Sequence, residues 1–390
     1  MANWISMDEA CGQLDVRAQT LYAYVSRGKL EVMPDPADSR RSLYRAEDVE
    51  ALAKRKQAGR KRETVATNTL YGAEPSIPTA LSTFYRGRLF YRGQDAVELA
   101  RTASLEEAAR LMWEAGQPVD FALADAERPA QPGRSAAFTT LAALAAVGHS
   151  TSGRMTRVLH EEAQELVGRV ACAFGAQPGP QPLHRRFASG WKQPQRVAEL
   201  LRVAMVLLVD HELTSSAFAA RIAASTGASL PACLLAGLMT LSGPLHGDAS
   251  GRVRALFSDV ERLGADAVLA HYLSTGMPLP GFGHHIYPEG DPRAVALFAM
   301  FEPPEVISRF VEKAQALTGL RPNIDLALAA LVARMRLPQD SAFGLQAVAR
   351  SVGLLAHSLE QLGRSQVIRP RGRYVGIAPK AASAVLASRK

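Results

Sequence analysis

Gly243-Pro244-Leu245-His246-Gly247, then Gly281-Phe282-Gly283-His284 running on to Asp291-Pro292-Arg293, then Pro322-Asn323-Ile324-Asp325 are the stretches that decide how this chain reads. Two histidines, a carboxylate and an arginine stand in separate segments. Each is framed by Gly, Pro or Asn, the residues of turns and element ends. Removing a proton beside a carbonyl needs these groups: a carboxylate base, neutral donors for the developing enolate oxygen, and a cation for an anionic partner.

The surrounding sequence is mostly helical. Ala- and Leu-rich stretches recur at helical spacing over residues 136–147, 154–171, 196–209, 216–224, 232–241, 265–274, 304–317, 326–335 and 342–361. Strand signals are few, and residues 88–91 form one candidate. The expectation is a mainly α body.

The 390 residues give room for two or three domains, and an apolar fraction of 47% with 21% charged is ordinary for a globular protein. Cys11, Cys172 and Cys233 are widely spaced and odd in number, which predicts neither a disulfide framework nor a zinc site and suits a reducing cytoplasm. The start of the chain lacks the basic and apolar runs of a signal peptide. The longest apolar stretch, 230–245, is broken by Pro231, Gly237 and Pro244, so it reads as a buried helix and not a membrane span. The net charge of +8 is spread out: residues 1–63 hold 12 basic and 10 acidic residues, the rest 33 and 27. Such an excess suits an anionic partner, whether a carboxylate, a phosphorylated cofactor or nucleic acid.

Residues 1–63 read as a separate unit. Ser6-Met7-Asp8-Glu9 has capping-box spacing, predicting a helix from Met7 to about Leu14. A second helix is expected over 17–27, a small hairpin over 30–44 and a third helix over 46–57. This order resembles the winged helix-turn-helix unit of MerR-type and excisionase-type proteins, through Glu9-Ala10, Thr20-Leu21-Tyr22, Arg27-Gly28-Lys29-Leu30 and Tyr44-Arg45-Ala46-Glu47-Asp48-Val49. The resemblance implies DNA as a partner, with Arg17, Gln19, Arg40 and Arg41 as groove or phosphate candidates.

Residues 70–377 resemble a citrate synthase. The three opening motifs carry that resemblance in order, together with Tyr91-Arg92-Gly93, Asp210-His211-Glu212-Leu213, Ala349-Arg350-Ser351-Val352-Gly353 and Arg369-Pro370-Arg371. It implies a two-domain, all-helical body and a homodimer that condenses an acyl-CoA, most simply acetyl-CoA, with oxaloacetate. Acyl-CoA is then a substrate; no resident cofactor and no metal is implied. The expected division is 1–63 for the helix-turn-helix unit, 64–246 and 341–390 for a large domain, and 247–340 for a small one.

The resemblance also distributes roles. His246 donates a hydrogen bond to the thioester oxygen, and Asp325 takes the α-proton. His284 polarises the ketone, while His211, Arg293 and Arg350 hold oxaloacetate and Arg369 reaches the neighbouring subunit's site. For Asp325 the residues allow a second reading, a helix N-cap before the apolar run from Leu326. An arginine mid-helix like Arg350 is costly to bury without a partner anion, which a dicarboxylate supplies.

The chain departs from the family pattern at Asp248, Ser250 and Gly251, at His285, and at Leu326-Ala327-Leu328. Asp248 is expected either to raise the pKa of His246 or to pair with Arg252 or Arg254. The changes after Asp325 are expected to touch the acyl pocket. They admit propionyl-CoA and 2-methylcitrate synthesis, or a degenerate ligand sensor that controls DNA binding.

Overall fold

A computed structural model describes residues 3–14, 16, 18–26, 29–36, 38–53, 77–123, 128–364, 366–370 and 376. The chain divides into two compact units, Met1–Ile77 with Pro370–Lys390, and Pro78–Arg369.

In the first unit, β1 (Trp4–Ile5), β2 (Val32–Asp35) and β3 (Asp38–Arg45) form an antiparallel sheet of order β1-β3-β2. Helices α1 (Met7–Leu14) and α2 (Ala18–Ser26) precede the hairpin, and α3 follows it over residues 46–53. The expected capping box forms: Glu9 N–H donates to Ser6 Oγ at 3.3 Å, and Ser6 N–H to Glu9 Oε2 at 2.9 Å. Ala10, Leu14, Leu21, Leu30, Tyr44 and Val49 make a small core of their own.

The second unit opens with a three-stranded antiparallel sheet, β4 (Ser82–Tyr85), β5 (Arg88–Tyr91) and β6 (Gln94–Asp95). Helices follow: α4 (Ala96–Thr102), α5 (Leu105–Trp113), α6 (Arg134–Val147), α7 (Thr156–Ala173), α8 (Leu183–Gly190), α9 (Gln195–Leu207), α10 (Ser215–Ser225), α11 (Leu230–Leu241), α12 (Ala249–Leu263), α13 (Ala265–Thr275), α14 (Pro292–Phe298), α15 (Glu305–Thr318), α16 (Ile324–Met335) and α17 (Ser341–Leu362). Each long apolar-periodic stretch of the sequence is one of these helices. Hydropathy periodicity misses the short or polar ones, α4, α5, α8, α12 and α14. Two of them carry local start signals: Ser104 and Glu107 form a full capping box for α5, and Asp291 caps α14 with Pro292 at its first position.

Helix α17 is the axis of the larger core: Leu345, Val348, Val352, Leu354 and Leu355 are fully buried against α7, α9, α10 and α11. A second core joins Val253, Leu256, Phe257 and Val260 of α12 to Ile307 and Phe310 of α15. Helix α16 serves both cores, with Ile324, Ala327, Leu328 and Leu331 in the larger and Leu326, Ala329 and Ala330 in the smaller. Asp325 therefore stands at the seam. Ala294 and Leu297 of α14 pack in the larger core, so Arg293 is carried there. Among the described residues no helix is long and apolar enough to cross a membrane.

Candidate active site

The turn between α11 and α12 presents His246. Its geometry is tight: the Gly247 N–H donates to Leu241 O at 2.9 Å, and a Cβ on Gly247 would meet Leu241 at 2.6 Å. His246 Nε2 lies 2.8 Å from the buried Ser216 Oγ, which is 3.0 Å from Thr214 Oγ1. With the serine hydroxyl donating to Nε2, the ring proton sits on Nδ1 and is free for a ligand oxygen. Burial, with the charge of Arg350 behind it, pushes the imidazole down to about 4, so it is neutral near pH 7.

His284 follows Gly283, whose φ of 69° lies in the left-handed region that favours glycine. The Ile286 N–H donates to His284 Nδ1 at 3.2 Å, so the ring proton is on Nε2. Burial, reinforced by Arg293, pushes this ring to about 4 as well. His211, just beyond α9, stands with its ring centroid 5.3 Å from that of His284. Its Nε2 is 3.1 Å from Tyr287 Oη, and burial holds it far below the ordinary histidine range. The Tyr287 ring lies 4.8 Å from that of His284, under the Arg293 guanidinium at 5.4 Å.

Arg293 is buried and is no surface ion pair. Its Nε and Nη2 fork onto Asp291 at 3.0 and 2.8 Å, and Asp291 also accepts the Ile324 N–H at 3.0 Å. Asp291 thus pins the start of α16 to the arginine. Arg350, 2% exposed, donates from Nε to Leu208 O at 3.1 Å. Its terminal amino groups have no hydrogen-bond partner among the described residues, which leaves a buried cation with its fork open. The buried Asp210 offsets part of that charge; His357 lies 3.4 Å from it and Ser82 Oγ donates to it.

Asp325 is not the cap of its helix. Asn323 takes that place, and α16 begins at Ile324, two residues before the expected start. The Asp325 Oδ1 is buried without a partner, and burial pushes the carboxyl up to about 6 against the pull of Arg293 and Arg350. Arg350 is a charge neighbour of His246, His211 and Asp325, and Arg293 of His284, His211 and Asp325. Six of the seven expected site residues of the body therefore gather in one place. Arg369 does not join them: it is exposed on the segment after α17, which the bond from Ile368 N–H to Ser225 Oγ at 3.1 Å holds down.

Asp248 behaves differently from expectation. It raises nothing at His246; its carboxylate pairs with Arg134, at 2.9 Å for each oxygen, and not with Arg252 or Arg254. Arg254 instead donates to the Gln339 carbonyl. Leu326, Ala327 and Leu328 are fully buried in the two cores. Of the DNA-contact candidates, Arg17 lies outside the described residues, Gln19 stands on α2 and Arg40 on β3. Arg41 is exposed, 3.5 Å from Asp38. Among the described residues no group of three or more His, Cys, Asp or Glu is placed to hold a metal ion.

Sequence reasoning missed Ser216, Tyr287, Asp291 as a clamp and Arg134. Asp291 and Tyr287 stand inside or beside the quoted motifs, and an Asp-Pro-Arg start was a readable cap; Ser216 and Arg134 carry no local signal.

Residues 139–371 match the family model described as citrate synthase, C-terminal domain. A citrate synthase from Haloferax volcanii is 29% identical over 345 residues, covering 74% of this chain and 90% of that protein. A citrate/2-methylcitrate synthase from Bacillus subtilis is 26% identical over 344 residues, with the same coverage of 74% and 90%. Among solved structures, a ternary complex of carboxymethyl coenzyme A and oxaloacetate with the Thermoplasma acidophilum citrate synthase superposes with a TM-score of 0.66. It is 22% identical and covers 80% of this chain and 97% of that one.

Proposed function

Since this chain belongs to the citrate synthase family, we propose that it condenses a short acyl-CoA with oxaloacetate, giving citrate and CoA when the donor is acetyl-CoA. The observation that carries this reading is the unpartnered Asp325 carboxylate, which shares its neighbours Arg293 and Arg350 with two neutral histidines.

Asp325 takes a proton from the carbon next to the thioester carbonyl, while His246 donates to the thioester oxygen. A thioester is a weak carbon acid and a carboxylate a weak base, so the transfer proceeds only with both groups acting together. The enol carbon then attacks the ketone of oxaloacetate, whose oxygen receives the hydrogen bond of His284 Nε2. Water finally cleaves the thioester and releases CoA. Arg350 and Arg293 meet the two carboxylates, with His211 beside them. Once a dicarboxylate neutralises the arginines, their pull on Asp325 fades and it becomes a stronger base. Oxaloacetate thereby readies the site for the acyl donor. Residues 247–340 are read as a small domain that closes over the large one.

The test is release of CoA thiol from acetyl-CoA by the purified protein. It is expected only with oxaloacetate present, and no release with acetyl- or propionyl-CoA would reject the reaction. Likeness to a bifunctional citrate/2-methylcitrate synthase favours trying both donors, and a higher kcat/KM for propionyl-CoA would make 2-methylcitrate the product.

The exposure of Arg369 supports a homodimer in which it completes the partner's site. Mixing inactive Arg369→Ala chains with inactive Asp325→Asn chains should then restore activity in mixed dimers. The order of α1, α2, the β2–β3 hairpin and α3 supports reading residues 1–63 as a winged helix-turn-helix that binds DNA. Selection of duplexes from random DNA by the full chain tests it, and recovery of no preferred sequence would leave the unit without that role.

A further inference from the structure

One guanidinium grips two helix starts that both bear on the reaction. Arg134, the first residue of α6, forks onto Asp248: Nη1 to Oδ2 and Nη2 to Oδ1, each at 2.9 Å. Nη2 also reaches Asp340 Oδ1 at 3.1 Å, and the Arg134 backbone N–H donates to Asp340 Oδ2 at 3.0 Å. The guanidinium carbon lies 3.9 Å from the centroid of the buried Phe343 ring, which packs edge-on against Phe138 and Phe174.

Asp248 occupies the N-cap position of α12, two residues after His246, and Asp340 that of α17, the helix of Arg350. Neither carboxylate caps its own helix. An aspartate in that position ordinarily bonds its own first-turn N–H groups. Both forgo this and turn to Arg134. The Asp248 N–H also donates to Gly243 O at 3.3 Å, so whatever fixes Asp248 fixes the turn of His246 from its far side. Helix α12 belongs to the smaller core and α17 to the larger, so the grip spans both.

We propose that Arg134 is a positioning residue for the condensation: by holding Asp248 and Asp340 together, it sets the thioester-oxygen donor His246 relative to the dicarboxylate cation Arg350. The inference rests on the reaction proposed above. Asp248 is one of the positions where this sequence departs from the family pattern, and Arg134 is its partner. A lysine cannot take the place, because one ammonium lacks the fork that serves two carboxylates.

The test uses the full chain with Arg134→Gln, Arg134→Lys, Asp248→Asn and the double variant Arg134→Gln/Asp248→Asn. Three readouts are taken: kcat with both KM values, exchange of acetyl-CoA α-hydrogens with D2O in the presence of malate, and amide hydrogen exchange over residues 243–251. Malate holds the place of oxaloacetate but has no ketone to attack, so the second readout isolates the step of His246 and Asp325. Each single variant should lose about tenfold in kcat and in α-hydrogen exchange, with both KM values within about twofold. The double variant should be no slower than the slower single one, because both break one link. Amides of the turn should exchange faster in Arg134→Gln. Multiplicative losses, rescue by lysine, or a rise confined to the acyl-CoA KM would overturn the inference, the last by making Arg134 a direct acyl-CoA contact. A wild-type protein without turnover would reject the reaction and not the grip, which unchanged amide exchange in Arg134→Gln would overturn by itself.

Discussion

Asn323 caps the helix that carries Asp325 and so releases the aspartate from structural duty. Its Oδ1 accepts the backbone N–H groups of Asp325 at 3.1 Å and of Leu326 at 3.4 Å, while its Nδ2 donates to Gly283 O at 3.0 Å. One amide side chain thereby fixes the start of the Asp325 helix and the backbone just before His284. The Asp325 carboxylate is left without a partner for its buried oxygen, a costly state that belongs to a group with chemistry to perform.

Asp325→Asn should keep the shape and remove the base. Turnover is expected to fall on the order of a hundredfold or more, with little change in either KM. A loss of only a few-fold would exclude Asp325 as the base.

The same substitution should stabilise the protein at high pH. With its carboxyl raised from 3.8 to about 6, the folded chain keeps a proton that the unfolded chain has released between those values. Stability therefore falls as pH rises through that window, and the penalty is complete above it. At pH 8 the Asn variant should be more stable by up to about 3 kcal/mol, and at pH 4 hardly at all. Urea unfolding at the two pH values measures the difference; an equal gain at both would show that no charge is being buried.

Activity should rise with pH along one limb near 6, where Asp325 ionises. His246 and His284, both pushed down to about 4, are neutral throughout that range and add no limb near the ordinary histidine value. A profile of log kcat/KM for oxaloacetate from pH 4.5 to 9 checks this, and the same limb retained in the residual activity of Asp325→Asn would assign it to another group.

Asn323→Ala should cost about 1 kcal/mol of stability through the lost cap. Turnover should fall further than that loss explains, since Asp325 is then free to cap its own helix. Asn323→Ser keeps the cap but not the bond to Gly283, so it should recover the melting temperature more fully than the rate.

Tyr287→Phe removes the partner of His211 Nε2, 3.1 Å away, and leaves the tilted ring contact with His284. The KM for oxaloacetate should rise severalfold, on the scale of one buried hydrogen bond, with the acyl-CoA KM unchanged. Equal changes in both would make Tyr287 a general packing residue.

The helical body and the residue types of the reaction were legible in the chain's local pattern. Both are local: helical periodicity marks α6 and α7 because one face of each is buried, apolar runs mark α9 and α17 because these are buried nearly all round, and turn residues mark His246, His284 and Asp325 because the chain must bend to present them. The sequence also held the capping boxes at Ser6 and Ser104, which are settled within four residues. Which side chain meets which was settled by packing between distant segments. Arg134 and Asp248 are 114 residues apart, and Ser216 reaches His246 across 30. Burial, too, is collective: the shifts that make two histidines neutral and one carboxyl weakly acidic arise from removal of water by several helices at once. The choice of Asn323 over Asp325 as cap lay between neighbours two residues apart, yet the bond to Gly283, forty residues away in the chain, accompanies it. Local propensity favours either residue at a helix start, and the long-range contact matches the amide, which donates where a carboxylate cannot.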